Sequence, residues 1–216
     1  MLNKYLEETE YLNYSHPLLD GFAQELPSDK IEKAKALYLR VRDGFLYDPY
    51  HLDLRKPALT ASTIATRKRA WCVEKAILLA ALFRKLGFPA KLGYAVVTNH
   101  IGVEKLTRYL RREEIVFHGF VEVFLEGIWV KCTPAFDARI CRVSGVTPLE
   151  WDGRSDSMFQ AYDGGRSFME YKKFYGTFED VPLELMNSEM KVYYPHLFEH
   201  THLTKEFSFR HLWTVE

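Results

Sequence analysis

Residues 71–90 read WCVEKAILLAALFRKLGFPA and predict a helix that begins with a cysteine. Its apolar positions recur at helical spacing and form one stripe, made of Cys72, Ala76, Leu79, Leu82, Phe83 and Leu86. Gly87 and Pro89 then supply a stop signal. A thiol in the first turn lies near the positive end of the helix dipole, which favours the thiolate. The basic run 67–69 just upstream acts in the same direction, so Cys72 is a candidate nucleophile.

Length and composition predict a single domain, residues 1–216, with a substantial buried core. The 216 residues are 47% hydrophobic and carry a formal net charge of zero, which offers no general attraction for nucleic acid or an anionic membrane. No apolar run reaches the roughly 20 residues of a spanning helix, and the charged first residues show no signal region. Three cysteines without CxxC spacing argue against a disulfide framework. We therefore expect a soluble cytoplasmic protein that binds neither nucleic acid nor membrane, and the oligomeric state stays open.

Helices are predicted in the first half of the chain and strands in the second. The expected elements are a helix over about 29–45 capped by Ser28, a short helix over 60–66, a strand over 90–97, a short helix over 102–112, and strands over 116–125 and 128–133. Glu126-Gly127 between the last two strands is a hairpin turn signal. This order predicts an α+β fold rather than alternating βαβ units.

The C-terminal part of the chain carries weaker signals. Residues 138–216 are expected to form an extension packed on a core of about 28–137. Within the extension, a loop is expected over 150–165 and a helix over 167–175.

A thiolate nucleophile needs a base, and the base needs a group that orients it. His118 has the best context among eight histidines, because a strand at 116–125 would aim its side chain. The alternative interpretation is a buried or edge histidine satisfied by the backbone. Asp137 follows the return strand and could orient the imidazole if the chain after Pro134 turns back, whereas Thr133 could only form a hydrogen bond.

The order of these motifs resembles the transglutaminase-like superfamily of papain-like cysteine enzymes. The resemblance covers about residues 30–137 and rests on Cys72 at a helix start, GFPA at 87–90, and HGFVEVFLEGIWVKCTP at 118–134. It implies a papain-like α+β fold, with helices that carry the cysteine packed on an antiparallel sheet that carries the histidine. It also implies Cys72 as nucleophile and His118 as base, with no cofactor and no metal.

Two positions depart from the family pattern. Ala70 stands where a glycine is usual, and Thr133 stands where the family has an aspartate before proline. Either Asp137 replaces that carboxylate, or a Cys–His pair works alone, or catalysis has been lost. The last case predicts a non-catalytic module that binds a peptide or a protein on the same fold.

The expected activity is acyl transfer from a peptide, protein or small amide substrate. Release of the acyl group to water is favoured over release to an amine, since the chain shows neither the extra β-domains nor the calcium motifs of the large cross-linking enzymes it resembles. Tyr47 and Tyr50 are predicted substrate-binding residues, because aromatic and proline-containing loops often line clefts; the alternative interpretation is a structural turn. Trp71, next to the nucleophile, is the third, and is predicted to pack under the cleft.

A remote alternative is a zinc hydrolase. Residues 196–200 read HLFEH and fit the H-x-x-E-H pattern, in which His196 and His200 would hold zinc and Glu199 would activate water. His202 or His211 is conceivable as a third ligand, although Pro195 and the short spacing disfavour one continuous helix.

Overall fold

The structure, a computed structural model, describes residues 2–99, 104–158 and 169–198. The strands are β1 (Leu46–Tyr47), β2 (Arg69–Ala70), β3 (Ala90–Asn99), β4 (Glu114–Leu125), β5 (Ile128–Cys132) and β6 (Met169–Phe178). The helices are α1 (Lys30–Gly44), α2 (Ala61–Ala65), α3 (Cys72–Lys85), α4 (Glu104–Leu110), α5 (Ala138–Val143) and α6 (Leu183–Tyr193). Short 3-10 turns lie at Asn3–Tyr5, Pro17–Ala23, Lys56–Leu59 and Pro195–Leu197.

An antiparallel sheet in the order β5-β4-β3-β6 forms one layer, and helices cover the face against which α3 packs. β1 and β2 form a separate parallel pair. The predicted α+β class is confirmed, and so is the 126–127 hairpin. Both turn residues have positive φ, 47° at Glu126 and 92° at Gly127, as a type I′ turn requires.

Helix α3 runs through the centre of the molecule. Every residue from Cys72 to Arg84 is buried, because β4 and β3 pack on one side and α1 and α2 on others. The single apolar stripe expected from the sequence is therefore wrong: the helix is enclosed all round, and it buries Glu74, Lys75 and Arg84 together with its apolar residues. Gly87 ends the helix at φ 77°, while the Phe88 N–H bonds the Phe83 carbonyl, so the predicted stop is confirmed.

Two other sequence expectations need correction. The cap of α1 is Asp29 and not Ser28, since the Asp29 carboxylate accepts the N–H groups of Ile31 and Glu32. From residue 169 onward, the helix expected over 167–175 is instead strand β6, which pairs along the side of β3 opposite β4. Residues 167–168 lie outside the described residues. The aromatic residues Tyr171, Phe174, Tyr175 and Phe178 recur at helical spacing, and pairing with β3 overrides that local pattern.

Strand β4 carries a bulge next to the histidine. Ala95 pairs with His118 and Val97 with Ile115, so Val116 and Phe117 together oppose one residue of β3. Phe117 has a φ of 60°, which is rare for a non-glycine residue. The Val116 N–H is satisfied by the Tyr194 hydroxyl at 3.0 Å, so the segment after α6 secures the bulge.

Among the described residues, none of the helices has the length and hydropathy that crossing a bilayer would require.

Candidate active site

Cys72 is the first residue of α3 and is only 1% exposed. Its thiol donates to the Phe117 carbonyl over a sulfur–oxygen distance of 3.9 Å, which places the sulfur against the backbone beside His118. Burial raises the pKa of the Cys72 thiol to about 11, although the backbone N–H groups of Gly119, Val73 and Cys72 itself act in the opposite direction. The site therefore offers hydrogen-bond donors to a Cys72 thiolate, yet its burial disfavours the charged form of the sulfur.

Gly119 permits this close approach of helix and strand. A Cβ at this position would lie 2.9 Å from the Val73 Cα and 3.0 Å from the Cys72 carbonyl oxygen, both of them backbone atoms. Only a glycine lets α3 press this closely on β4, and the Gly119 N–H thereby reaches the sulfur.

The two arginines of the basic run upstream of Cys72 have acidic partners of their own. Arg67 forms an ion pair with the buried Glu74, and the Arg69 guanidinium lies 3.9 Å from the Asp48 carboxylate. Because these cations already have anionic partners, they do little to stabilise a thiolate. The expectation of a lowered Cys72 pKa is not met in this structure.

His118 lies on β4 and is also 1% exposed. Its ring packs on Phe136, with centroids 6.4 Å apart, and meets the Tyr171 ring edge-on at 6.0 Å. Burial lowers the pKa of His118 to about 4, and Nε2 has no hydrogen-bond partner among the described residues. The imidazole is therefore neutral near pH 7 and keeps one ring nitrogen available.

Both carboxylate oxygens of Asp137 accept hydrogen bonds from backbone N–H groups. Oδ1 caps α5 by accepting the N–H groups of Arg139 and Ile140, at 2.9 and 3.2 Å, while Oδ2 accepts the Tyr47 N–H at 2.6 Å. The described hydrogen bonds of this carboxylate do not include His118. Its assignment as orienter of the imidazole stays a prediction.

Thr133, at the position where the family pattern has aspartate, is buried close to Tyr171. The Tyr171 hydroxyl hydrogen-bonds the Thr133 side chain, and the same hydroxyl donates to the Met158 carbonyl at 3.3 Å. Tyr171 thus brings a hydroxyl group close to Thr133, while its ring contacts His118. Tyr171 was not predicted as a site residue, because it lies in a segment expected to be helical. Its place beside His118 depends on the pairing of β6 with β3, which no local sequence pattern shows.

Aromatic side chains close the site, and we call Tyr47, Trp71, Phe136 and Tyr171 the aromatic wall. Tyr47 packs on Phe136 with ring centroids 4.6 Å apart. Burial raises the pKa of the Tyr47 hydroxyl well above its usual value, and interaction with the Cys72 sulfur raises it further. The Trp71 indole is buried, and its N–H has no partner among the described residues.

Tyr50 lies at the edge of this region and is half-buried. Its N–H donates to the Asp48 carboxylate at 3.0 Å, and the Lys105 ammonium lies 5.4 Å from the centre of its ring. The substrate-binding assignments of Tyr47, Tyr50 and Trp71 stay predictions.

The proposed zinc ligands are only partly within the described residues. His196 lies in the 3-10 turn Pro195–Leu197, and its Nε2 is 3.1 Å from the Tyr109 carbonyl oxygen. Glu199, His200, His202 and His211 lie outside the described residues. Within the described ranges, no three histidine, cysteine or acidic side chains cluster as metal ligands would.

Comparison with known proteins shows which family the chain resembles. A family model described as the transglutaminase-like superfamily matches residues 20–134, which is more than half of the chain. Neither the curated proteins nor the solved structures contain a significant match. The matched range includes α3 with Cys72 and the β4–β5 hairpin with His118, and it supports a papain-like cysteine enzyme at a coarse level. The chain belongs to the transglutaminase-like superfamily.

Proposed function

We propose that this protein is a thiol-dependent acyl-transfer enzyme that hydrolyses an amide or peptide bond through Cys72 and His118. The observation that carries the proposal is the surroundings of the sulfur. The N–H groups of Cys72 and Val73 at the start of α3, and that of Gly119 on β4, favour its thiolate form, and its hydrogen-bond acceptor is the carbonyl of the residue before His118. Family membership supports the same chemistry.

In the proposed reaction, His118 takes the thiol proton as the Cys72 sulfur attacks the substrate carbonyl carbon. The carbonyl oxygen gains the negative charge, and the Cys72 backbone N–H at the helix start donates to it. The C–N bond then breaks, and the proton on His118 passes to the leaving amine. Water activated by the neutral imidazole attacks the thioester, which releases the acid and restores the thiol.

In the resting site, the Cys72 thiol and the His118 imidazole are both uncharged. The pKa of the thiol is raised to about 11 and that of the imidazole is lowered to about 4, in both cases because the groups are buried. A substrate reaches the sulfur only after the aromatic wall moves, since Cys72 and His118 are each 1% exposed. Catalysis therefore includes an opening step before the proton transfer.

Two observations favour a second candidate, a non-catalytic peptide- or protein-binding module. Thr133 occupies the place of the expected carboxylate, and the Asp137 oxygens are held by backbone N–H groups. On this alternative, Cys72 is a buried packing residue and partners bind without covalent chemistry.

Acetylation by p-nitrophenyl acetate separates the two candidates. We expect release of nitrophenol and an acetyl group located on Cys72 by peptide mass spectrometry. Replacing Cys72 with alanine should abolish the labelling, and His118→Phe should slow it by about 100-fold, the usual contribution of a general base. Cys132→Ala, which removes a buried thiol from β5, is the matched control and should react like the wild type.

The enzyme proposal fails if the acetyl group is spread equally over the three cysteines. It fails equally if His118→Phe leaves the rate at Cys72 unchanged.

A further inference from the structure

The His118 ring contacts two aromatic rings that meet it at different angles. The Phe136 ring is tilted by only 22° from it, at a centroid distance of 6.4 Å, while the Tyr171 ring meets it at 81° and 6.0 Å. The outer torsion of a histidine side chain has only broad preferences, so its neighbours decide how the ring is turned. One nearly parallel and one nearly perpendicular neighbour leave the His118 ring little freedom to rotate.

Within the described residues, the groups expected to fix this ring by a hydrogen bond are engaged elsewhere. Nε2 of His118 has no hydrogen-bond partner, and both Asp137 oxygens accept backbone N–H groups. Thr133, at the position of the expected aspartate, places its hydroxyl 3.6 Å from the Met158 sulfur. The orientation of the imidazole therefore depends on the packing of the two rings.

Tyr171 is itself held from three directions. Its hydroxyl donates to the Met158 carbonyl at 3.3 Å, and Met158 is 7% exposed, so this bond lies inside the protein. Its ring stacks on Phe174 with centroids 5.1 Å apart, and its backbone pairs with Val97 of β3. A ring anchored at its hydroxyl, its face and its backbone can hold a neighbouring ring in place.

We propose that Tyr171 is the positioning residue of the base: its ring, anchored at the Met158 carbonyl, fixes the orientation of the His118 imidazole by packing, where a carboxylate would do so by a hydrogen bond. The inference rests on the proposed function, since it assigns Tyr171 to the base of the acyl-transfer reaction. Tyr171 touches neither the sulfur nor the substrate in this account. It acts only through the His118 ring.

Two substitutions separate the ring of Tyr171 from its hydroxyl. Tyr171→Leu removes the ring that meets His118, whereas Tyr171→Phe keeps the ring and loses the bond to the Met158 carbonyl. Tyr175→Phe is the matched control, because Tyr175 lies on the same strand and its hydroxyl donates to Glu189 at 2.6 Å. The Tyr175 ring stacks on Phe117.

The first measurement is the order parameter of the His118 Cε1–H bond, from carbon-13 relaxation of histidine-labelled protein. The His118 signal is assigned by its loss in His118→Phe. We expect a wild-type value typical of rigid structure, about 0.85, and a value below about 0.6 in Tyr171→Leu. Tyr171→Phe should lie between these two, and Tyr175→Phe should match the wild type. This measurement needs no turnover.

The second measurement is the rate at which p-nitrophenyl acetate acetylates Cys72. A base that is free to rotate is aligned less often, so acetylation should slow by at least about 10-fold in Tyr171→Leu and by about 3-fold in Tyr171→Phe. If Tyr171 only covered the site, its removal would admit the ester and speed the reaction. In a His118→Phe background, Tyr171→Leu should change the rate by less than about 2-fold, because the residue through which it acts is absent.

A rigid His118 ring in folded Tyr171→Leu overturns the proposal, and so does faster acetylation of Cys72. If Tyr171→Leu does not fold, Tyr171→Phe decides, and wild-type values of both quantities in that variant overturn the proposal. A failure of the proposed function is distinguishable from these results. If the wild type is not acetylated at Cys72 while the His118 ring loosens in Tyr171→Leu, the positioning is confirmed and the acyl-transfer reaction is refuted.

Discussion

At the scale of single residues, burial decides the properties of the proposed reacting pair. Cys72 lies where a helix start favours a thiolate, yet the low polarity of its surroundings outweighs that effect and raises its pKa. At His118 burial acts alone, and because the charged form is a cation it lowers the pKa to about 4. The thiol and the imidazole are therefore both uncharged in the closed site.

The lowered pKa of His118 predicts a measurable dependence of stability on pH. The unfolded chain, with an ordinary pKa near 6.5, binds more protons than the folded one between pH 6.5 and 4. The stabilisation from neutral His118 is thus complete above pH 6.5 and is lost as the pH falls toward 4. From pH 7 to pH 5, wild type should lose about 2 kcal/mol more unfolding free energy than His118→Phe, by urea titration.

Glu74 and Lys75, which also have displaced pKa values, titrate in both proteins and cancel in this comparison. Equal losses in the two proteins would show that His118 keeps an ordinary pKa in the fold.

Cys72 and His118 could be proposed as the pair from sequence because local patterns single them out. Cys72 follows a basic run and opens an apolar helix, and His118 lies in a strong strand pattern. The contacts of Asp137 could not be predicted in this way. They depend on where β1 and α5 lie, and nothing in residues 133–137 shows that Tyr47 will be their neighbour.

At the scale of elements, the contact between α3 and β4 positions the sulfur. The bulge at Val116 and Phe117 shifts the strand just before His118, and Gly119 lets the helix start approach just after it. Helix and strand were both expected from sequence. The bulge was not, because residues 114–125 form an almost continuous apolar run in which nothing marks an extra residue.

Gly119→Ala should push α3 away from β4. The new methyl group meets backbone atoms of Val73 and Cys72, which cannot move aside as a side chain can. We expect a loss of about 1–3 kcal/mol in unfolding free energy, together with slower acetylation of Cys72. Gly44→Ala is the control, since a Cβ there meets nothing within 4 Å.

The control should change stability by less than about 1 kcal/mol, measured by the same urea titration. Wild-type stability and acetylation in Gly119→Ala would show that the close approach is not needed.

At the scale of the whole molecule, Arg84 joins segments that are far apart in sequence. Its buried guanidinium, near the end of α3, donates to the carbonyls of Ala90, Glu7 and Glu179. The start of β3, the N-terminal segment and the turn after β6 thus meet on one side chain. No periodic pattern predicts such a role, because the three partners are backbone carbonyls with no sequence signature.

Arg84→Met should leave these carbonyls without a donor. We expect a loss of about 3 kcal/mol or more, since each buried unsatisfied polar group costs about 1–3 kcal/mol. Differential scanning calorimetry and urea unfolding measure it. Arg40→Met, which removes a comparable but more exposed guanidinium that donates to Phe22 and Gln24, should cost less than about 1 kcal/mol.

A cost for Arg84→Met no larger than that for Arg40→Met would mean that water replaces the guanidinium at these carbonyls.

The aromatic wall also has a consequence for oxidation chemistry. Peroxide and disulfides react with the thiolate, so a thiol that is covered by rings and holds its proton resists conversion to sulfenic acid or a mixed disulfide. Cys72 is covered in this way by Tyr47 and its neighbours. On the proposed function, the covering that delays a substrate also keeps the sulfur reduced between encounters.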